Sequence, residues 1–310
     1  MRCRTLEEVV GEVLRLVDGE MSTHPESDAE FFFRGESKNH KSDYDGDPLG
    51  TAFQSYLDRE GLQEYERQLF EDAMRLNVAS FEEDRTMVER VARMQHYGLP
   101  TRFADMSTNA FLSAHFACGG GERDAEKRNN GRDGFIRVMK VAAHKMKSFT
   151  SDRIIAIAHL PLVEAGNINP SKSDGLDYLT YEIKNNRPGF FYEKEGIGSW
   201  LRDDIQQVWA FKPMMNSRRI RKQGGLFLAF GCGDNKKPLE PTFSPEDYEN
   251  ESAPSYGIKQ IGYVQIAAEA KKQIREQLRF FGIEGELVYP ELSNVCEELH
   301  MRFKEIKEGK

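Results

Sequence analysis

The sequence lacks the features that would assign it to a membrane, secreted or metal-dependent class. No apolar run approaches the ~18 to 20 residues that span a bilayer, and the start has no uninterrupted apolar core of a signal peptide. The cysteines are few and stand singly, which favours reduced thiols over a zinc site or a disulfide framework. They are Cys3, Cys118, Cys232 and Cys296. We therefore expect a cytoplasmic protein without a membrane segment or a metal site.

Common enzyme signatures are also missing. The sequence has no phosphate-cradling P-loop, no GxGxxG after a strand and no local signature of a hydrolase triad. A net charge of -8 argues against a protein that coats nucleic acid through its whole surface. A local basic surface remains open, because five positive residues and no acid lie between Lys212 and Gln223.

Hydrophobic patterning predicts helices in the first part of the chain and strands later. Thr5 and Glu8 suggest the start of an amphipathic helix, and Thr86 and Glu89 suggest another. Further helices are expected over 52–77, after a cap at Ser107 or Thr108, over 269–281 and from Pro290. The expected strands are "EFFFRGE", "FIRVMKV", "RIIAIAHL", "QVWAFKP", "GLFLAF" and "IGYVQIA".

This order predicts an α+β fold around a mostly antiparallel sheet, with N-terminal helices and a C-terminal helix, because βαβ alternation is missing. We interpret residues 1–310 as one elaborated domain. The polar stretch 119–134 is interpreted as a mobile insertion.

The segment "FFFRGE" places a guanidinium at the end of the most apolar predicted strand. Arg34 could make two parallel hydrogen bonds to a phosphate, and Gly35 would let the backbone approach a ligand closely. The alternative is a strand-end arginine that pairs with Glu36 or another surface acid.

The segment "QHYGLPTR" and the residues after it supply a second group of polar side chains. The candidate ligand-binding residues are Gln95, His96, Thr101, Arg102, Asp105 and Ser107. His96 lies in the last turn of the predicted helix, where it is also suited to cap free carbonyls. Asp105 is equally suited to a turn or a helix cap.

The segment "RRIRKQGGLF" forms the third group. Gln223 begins a predicted strand directly after the basic residues, so its amide could face the same cleft as Arg34. The alternative is a solvated cationic loop. The basic residues are Arg218, Arg219, Arg221 and Lys222.

Taken together, these segments and the ending "LRFFGIEGELVYPEL" resemble the FRG domain family in content and order, from about Leu6 to Leu299. That family looks like a divergent branch of the ADP-ribosyltransferases, with members in bacterial and phage conflict systems. The resemblance implies an ADP-ribosyltransferase-like fold and an enzyme that splits NAD+, its co-substrate, and transfers ADP-ribose. It also implies a toxin, and with it a neutralising antitoxin partner.

Roles follow from the same resemblance. Arg34 matches the arginine that holds the NAD+ phosphate or ribose, the loop around Thr101 matches the second motif, and Gln223 matches the third. The protein-modifying relatives carry Glu-x-Glu at the third motif, which this sequence lacks. A catalytic carboxylate, if one is needed, would then come from Glu36, from Asp105 or from a residue that the sequence does not identify. His96 would orient the ribose or the nucleophile.

The acceptor is expected to be a nucleic acid, because the basic residues precede the third motif. Transfer to a base needs an exposed base, which favours RNA or single-stranded DNA. Tyr192, Trp209 and Phe211 could stack on such a base, although the last two also suit a core. A protein acceptor, NAD+ hydrolysis and a noncatalytic binding module are the alternatives.

Overall fold

The computed structural model describes residues 1–24, 28–38, 53–120, 131–172, 174–186, 197–214 and 225–284. The strands in these ranges are β1 (Arg2–Cys3), β2 (Ala29–Glu36), β3 (Phe103–Ser107), β4 (Gly134–Ala142), β5 (Met146–Ser148), β6 (Val208–Lys212), β7 (Gly225–Phe230) and β8 (Ile258–Ile266). The helices are α1 (Leu6–Thr23), α2 (Tyr56–Arg59), α3 (Glu66–Leu76), α4 (Met87–His96), α5 (Ala110–Ala117), α6 (Asp152–His159), α7 (Asp177–Asn186), α8 (Ile197–Ile205), α9 (Pro245–Glu249) and α10 (Lys271–Arg279). No helix in the described part of the chain is long and apolar enough to cross a bilayer.

The strands form an eight-stranded sheet in the order β1-β8-β4-β2-β3-β7-β6-β5. The β1–β8 and β5–β6 pairs are parallel, and the other neighbours are antiparallel. This confirms the prediction of an α+β fold with a mostly antiparallel sheet. The two strands that flank the basic segment, β6 and β7, are antiparallel neighbours.

The sheet consists of two halves that meet at one residue pair. Strand β2 pairs with β4 over its whole length, from Ala29 to Glu36. It pairs with β3 only where Phe33 faces Ser107. Strands β2 and β3 therefore diverge after this pair, and Arg34 is the next residue of β2. We call this place the junction.

Side chains alternate between the two faces of the sheet. Phe32 and Arg34 lie on the face that we call the front, where Phe53 and Phe243 complete an apolar layer. Phe33 and Gly35 lie on the back, which is covered by two groups of helices. Helices α1, α5 and α10 pack behind β2, β4 and β8, whereas α4, α6, α7 and α8 pack behind β3, β6 and β7.

Several helices begin where the sequence indicates. Thr86 and Glu89 form a reciprocal capping box at the start of α4, and the Thr5 side chain accepts from the backbone of Glu8 at the start of α1. Helix α10 lies within the predicted 269–281 helix, and Gly282 follows with a positive φ of 73°. The helix expected from Pro290 lies outside the described residues.

Other elements differ from the prediction. The helix expected over 52–77 is divided into α2, a 3-10 turn at Gln63–Tyr65 and α3, because Gly61 adopts a φ of 68° that ends the first segment. The "RIIAIAHL" segment is helix α6 rather than a strand. An entirely apolar run has no decisive period, and here residues 154–158 are all buried.

The segment after "QHYGLPTR" also differs from the expected loop. Residues 103–107 form strand β3 between β2 and β7. Helix α5 is capped by Asn109, whose side chain accepts from the backbone of Phe111 and Leu112, and not by Ser107 or Thr108. Ser107 ends the strand instead, and its hydroxyl accepts from the Asn109 backbone at 3.0 Å.

Candidate functional site

Arg34 spans the junction between the two halves of the sheet. Its Nη1 atom donates to the backbone carbonyl of Asp105 on β3 at 2.8 Å, so the side chain bridges the diverging strands. Its guanidinium also lies 5.2 Å from the centre of the Phe53 ring. The side chain is 19% exposed, which leaves part of the guanidinium open to solvent. Arg34 is therefore held from several sides and still accessible.

Glu36 lies on the same face of β2, two residues after Arg34. One of its oxygens, Oε1, lies 3.4 Å from Nε of Arg34 and 3.4 Å from Nε of Arg137. Arg137 is the residue of β4 that pairs with Arg34 across the strands. One carboxylate oxygen is therefore shared by two guanidinium groups.

The second guanidinium is fixed by the next strand. Arg137 donates through Nη1 to Oε1 of Gln260 on β8 at 2.6 Å, and it lies 5.5 Å from the centre of the Phe53 ring. Phe53 itself packs against Phe230 and Phe243 at 5.7 and 6.1 Å between ring centres. Both arginines thus lie against one aromatic ring that the front apolar layer holds in place.

A second group of candidate residues meets on the back of the sheet, at the side chain of Asp105. The Nε2 atom of Gln95 donates to Asp105 Oδ2 at 3.5 Å, and Nδ1 of His96 lies 3.8 Å from Oδ1. Thr101 donates to Gln95 at 2.8 Å and accepts from the Phe103 backbone at 3.1 Å. The side chain of Asp105 is partly exposed, whereas His96, Gln95 and Thr101 are buried.

Asp105 joins the two groups. Its backbone carbonyl binds Arg34, and its side chain lies with Gln95 and His96. The structure thus connects Arg34, Glu36, Gln95, His96 and Asp105 at the junction. Thr101 does not contact Asp105 in this network. Its hydroxyl donates to Gln95 and so orients the Gln95 side chain.

The structure gives Gly35 a packing role that the sequence did not predict. A Cβ atom at this position would lie 1.9 Å from the carbonyl oxygen of Ser113 and 2.8 Å from the backbone nitrogen of Ala117, both on helix α5. The glycine is required because α5 packs directly on β2. This contact accounts for the glycine by packing alone, and the approach of a cofactor to its backbone stays a prediction.

Arg102 also has a different place from the one predicted. Its side chain is 1% exposed and donates to both carboxylate oxygens of Glu66, at 2.7 and 3.1 Å, and to the carbonyl of Gly231 at 3.2 Å. Burial alone would raise the pKa of the Glu66 carboxyl, but the charges of Arg102 and Lys236 outweigh it and lower that pKa. Because this arginine is enclosed by protein partners, it has no free surface for a cofactor.

Gln223, the residue of the third motif, lies outside the described residues. That its side chain faces Arg34 therefore stays a prediction. The same holds for Arg218, Arg219, Arg221 and Lys222 as acceptor-binding residues, and for Tyr192 as a stacking residue. Trp209 and Phe211 are buried in the back layer, which agrees with a core position.

The arrangement at the junction is suited to binding an anion. Two guanidinium groups and one carboxylate carry a net positive charge, and a partly exposed guanidinium can give two parallel hydrogen bonds to a phosphate or carboxylate. Within the described ranges, no three His, Cys, Asp or Glu side chains are grouped to hold a metal. Burial raises the pKa of the Cys232 thiol to about 11 and that of Cys118 to about 12, so neither is a ready thiolate nucleophile.

Sequence reasoning missed Arg137, Gln260 and Phe53. Arg137 was visible as the charged residue within the otherwise apolar start of "FIRVMKV", a strand whose residues are all buried. A buried arginine must find a partner, so this position indicated a polar cluster. Gln260 and Phe53 gave no comparable signal, because their roles depend on strand register and on the contact of Phe53 with the front apolar layer.

Comparison with known proteins gives one family match. The FRG domain family model matches residues 29–127, from the first residue of β2 to beyond the end of α5. No curated protein and no solved structure matches the chain. The matched part contains Arg34, Glu36, His96 and Asp105, so these residues lie in a segment that is similar to the FRG domain family.

Proposed function

We propose that the protein is an NAD+-dependent ADP-ribosyltransferase whose acceptor is a nucleic acid. The observation that carries the proposal is Arg34, a partly exposed guanidinium held at the junction by a backbone carbonyl and an aromatic ring. The proposed role of this guanidinium, as the clamp for the NAD+ diphosphate, is supported by the match of residues 29–127 to the FRG domain model and by the resemblance of that family to ADP-ribosyltransferases.

The residues at the junction fit a dinucleotide substrate. A diphosphate needs positive charge and fixed donors, which Arg34 supplies with Arg137 behind it. Cleavage of the bond between ribose and nicotinamide develops positive charge on the ribose carbon. A carboxylate stabilises that charge. Glu36 lies 3.4 Å from Arg34, and the carboxylate of Asp105 extends to the back of the strand whose carbonyl binds Arg34.

The two carboxylates are suited to different roles. Glu36 is buried between two arginines, so its charge is already shared. Asp105 is partly exposed and lies beside Gln95 and His96, which can also contact a ribose hydroxyl or an incoming nucleophile. We therefore assign charge stabilisation at the ribose to Asp105, and we assign to Glu36 the holding of Arg34 and Arg137 in place.

The nucleic acid acceptor is proposed from the basic residues at 218–222 of the sequence. Several cations in one short segment would bind backbone phosphates and make binding steeply dependent on salt. In this proposal the protein acts as a toxin in bacterial anti-phage defence or in a toxin-antitoxin system, with a protein partner that neutralises it. Its place of action is the cytoplasm.

The test is transfer of label from NAD+ carrying a labelled adenylate. The purified protein is incubated with total RNA, single-stranded DNA or a protein lysate, and free nicotinamide and free ADP-ribose are measured alongside. We expect label on RNA or DNA. Label on protein would show that the acceptor is a protein and not a nucleic acid. Free ADP-ribose alone would indicate a hydrolase. Binding of nucleic acid without loss of NAD+ would refute the proposal that the protein is an enzyme.

Two matched variants link the result to Arg34. Arg34→Lys keeps the charge but loses the planar fork, and we expect NAD+ turnover to fall by about 100-fold or more. Arg75→Lys is the control, because Arg75 is an exposed arginine that pairs with Asp72 on α3. Turnover that survives Arg34→Lys with the rate of the control would exclude Arg34 as the clamp.

A cellular assay tests the toxin proposal. Expression of the wild type in bacteria should arrest growth, whereas Arg34→Ala produced at the same level should not. Normal growth with wild-type protein that is active in vitro would exclude toxicity while leaving the transferase proposal intact.

A further inference from the structure

We infer that Arg137 is a positioning residue that keeps Arg34 available to a diphosphate by sharing the charge of Glu36. This deepens the proposed function, and the identity of the anion rests on it. The three side chains lie on the front face of neighbouring strands, with Arg34 and Glu36 on β2 and Arg137 opposite Arg34 on β4.

The negative charge of Glu36 opposes the binding of an anion at Arg34. Glu36 lies 3.4 Å from Arg34, and a carboxylate at this distance would neutralise the clamp and compete with any anionic ligand. The same carboxylate oxygen lies 3.4 Å from Nε of Arg137. Among these three side chains two are positive and one is negative, which sums to +1. Removal of Arg137 lowers that sum by one unit.

Exposure separates the roles of the two arginines. The side chain of Arg34 is 19% exposed, whereas those of Arg137 and Glu36 are each 6% exposed. An anion arriving from solvent therefore meets Arg34. Arg137 acts from behind, through the carboxylate that it shares with Arg34.

The contacts across the strands hold this arrangement in place before a ligand binds. Gln260 on β8 accepts from Arg137 at 2.6 Å, and Arg34 donates to the Asp105 carbonyl on β3 at 2.8 Å. Both guanidinium groups also lie against the Phe53 ring. The polar contacts thus run across four adjacent strands, β8, β4, β2 and β3. Groups held in this way pay little reorganisation cost when the ligand binds.

The separation of the charged groups determines how much the loss of Arg137 should weaken anion binding. Since both Nε atoms lie 3.4 Å from one oxygen, they are no farther apart than twice that distance. Loss of one unit charge at such a separation, at an effective dielectric of about 20, changes a dissociation constant by roughly 10- to 100-fold. Removal of Glu36 should change it by a similar factor in the opposite direction.

The experiment measures the affinity for inorganic pyrophosphate by calorimetry at low salt, in four forms of the full chain. They are the wild type, Arg137→Gln, Glu36→Gln and the double variant, with Arg75→Gln as the exposed control. We expect Arg137→Gln to weaken binding by about 10-fold or more and Glu36→Gln to strengthen it. The double variant, which regains a net charge of +1, should return close to the wild-type affinity.

A purely structural role for Arg137 gives a different pattern. Removal of Glu36 would then not offset the loss of Arg137, and the double variant would bind pyrophosphate as weakly as Arg137→Gln or more weakly. The inference would be overturned by that result, by equal affinity of the wild type and Arg137→Gln, or by a wild type that does not bind pyrophosphate. If Arg137→Gln does not fold, as judged by circular dichroism, Glu36→Gln still decides, since unchanged or weaker binding contradicts the charge argument.

The outcome is separable from that of the proposed function. Pyrophosphate affinities in the expected order without cleavage of NAD+ would retain the inference and refute the transferase. Cleavage of NAD+ with an unchanged KM and unchanged pyrophosphate affinity in Arg137→Gln would retain the transferase and refute the inference.

Discussion

Lys145 is a buried amine whose titration should be visible in the stability of the protein. The residue is 1% exposed, and its Nζ atom donates to Oε1 of Gln207 at 2.5 Å and lies 4.1 Å from the centre of the Trp209 ring. Lys147 and Arg153 lie against the same ring, at 5.1 and 4.8 Å. Burial, and then the charge of Lys147, lower the pKa of Lys145 to about 7.

The sign of the pH effect follows from this pKa. In the unfolded chain a lysine titrates near 10.4, so between about pH 7 and pH 10 the unfolded state binds more protons at Lys145 than the folded state. The cost of burying the charged amine is complete below pH 7 and is relieved as the pH rises. Each pH unit in this window is worth about 1.4 kcal/mol, and the gain begins at half that slope at pH 7. Integration from pH 7 to pH 9 gives about 2 kcal/mol.

The perturbation is Lys145→Met, which keeps the apolar stem and removes the amine. We expect the free energy of unfolding of the wild type, relative to the variant, to rise by about 2 kcal/mol between pH 7 and pH 9. Urea denaturation at several pH values measures it, and Lys272→Met, at an exposed lysine on α10, is the control. A difference between wild type and Lys145→Met that does not change with pH would refute the reasoning.

Two other predictions concern packing and buried charge. Gly35→Ala should destabilise the protein by about 2 kcal/mol or more, because the new methyl group would clash with the backbone of α5. Gly11→Ala, at an exposed position of α1 with nothing within 4 Å, should stabilise it by about 0.5 to 1 kcal/mol. Thermal melting compares the two variants, and equal effects would contradict the contact between Gly35 and α5. Glu66→Gln should cost about 3 to 5 kcal/mol by leaving Arg102 buried without its full counter-charge, while Glu71→Gln, at an exposed pair, should cost less than about 1 kcal/mol in urea titrations. A small loss for Glu66→Gln would show that water or another group replaces the carboxylate.

The sequence was sufficient for elements whose patterning matches a single type of structure. The strands of β4, β6, β7 and β8 were predicted from apolar runs bounded by turn formers, and the start of α4 from its capping box. The helix α6 was misread because Ile154 and its neighbours are buried on all sides, so no period separates helix from strand. Strand β3 was missed because Asp105 and Ser107 have low strand propensity, and pairing with β2 and β7 overrides it.

The site was predictable only in part, and for a similar reason. Arg34 and His96 were identified because motifs mark them, and the structure brings both to Asp105. Whether Arg102 faces solvent or core was undecided in the sequence, since its partner Glu66 lies far away along the chain. The contact between Arg137 and Glu36 likewise depends on the register of β2 against β4, which local patterns do not specify.

The parallel pairing of β1 with β8 has a consequence for how the chain is made. Arg2 and Cys3 take their places beside Gln265 and Ile266, and the Cys3 carbonyl accepts from the backbone of Ala267 at 2.8 Å. During synthesis, β1 leaves the ribosome long before β8 exists. Strand β1 can therefore pair only after β8 has been translated, and this edge of the sheet forms after the strands between them in the sequence.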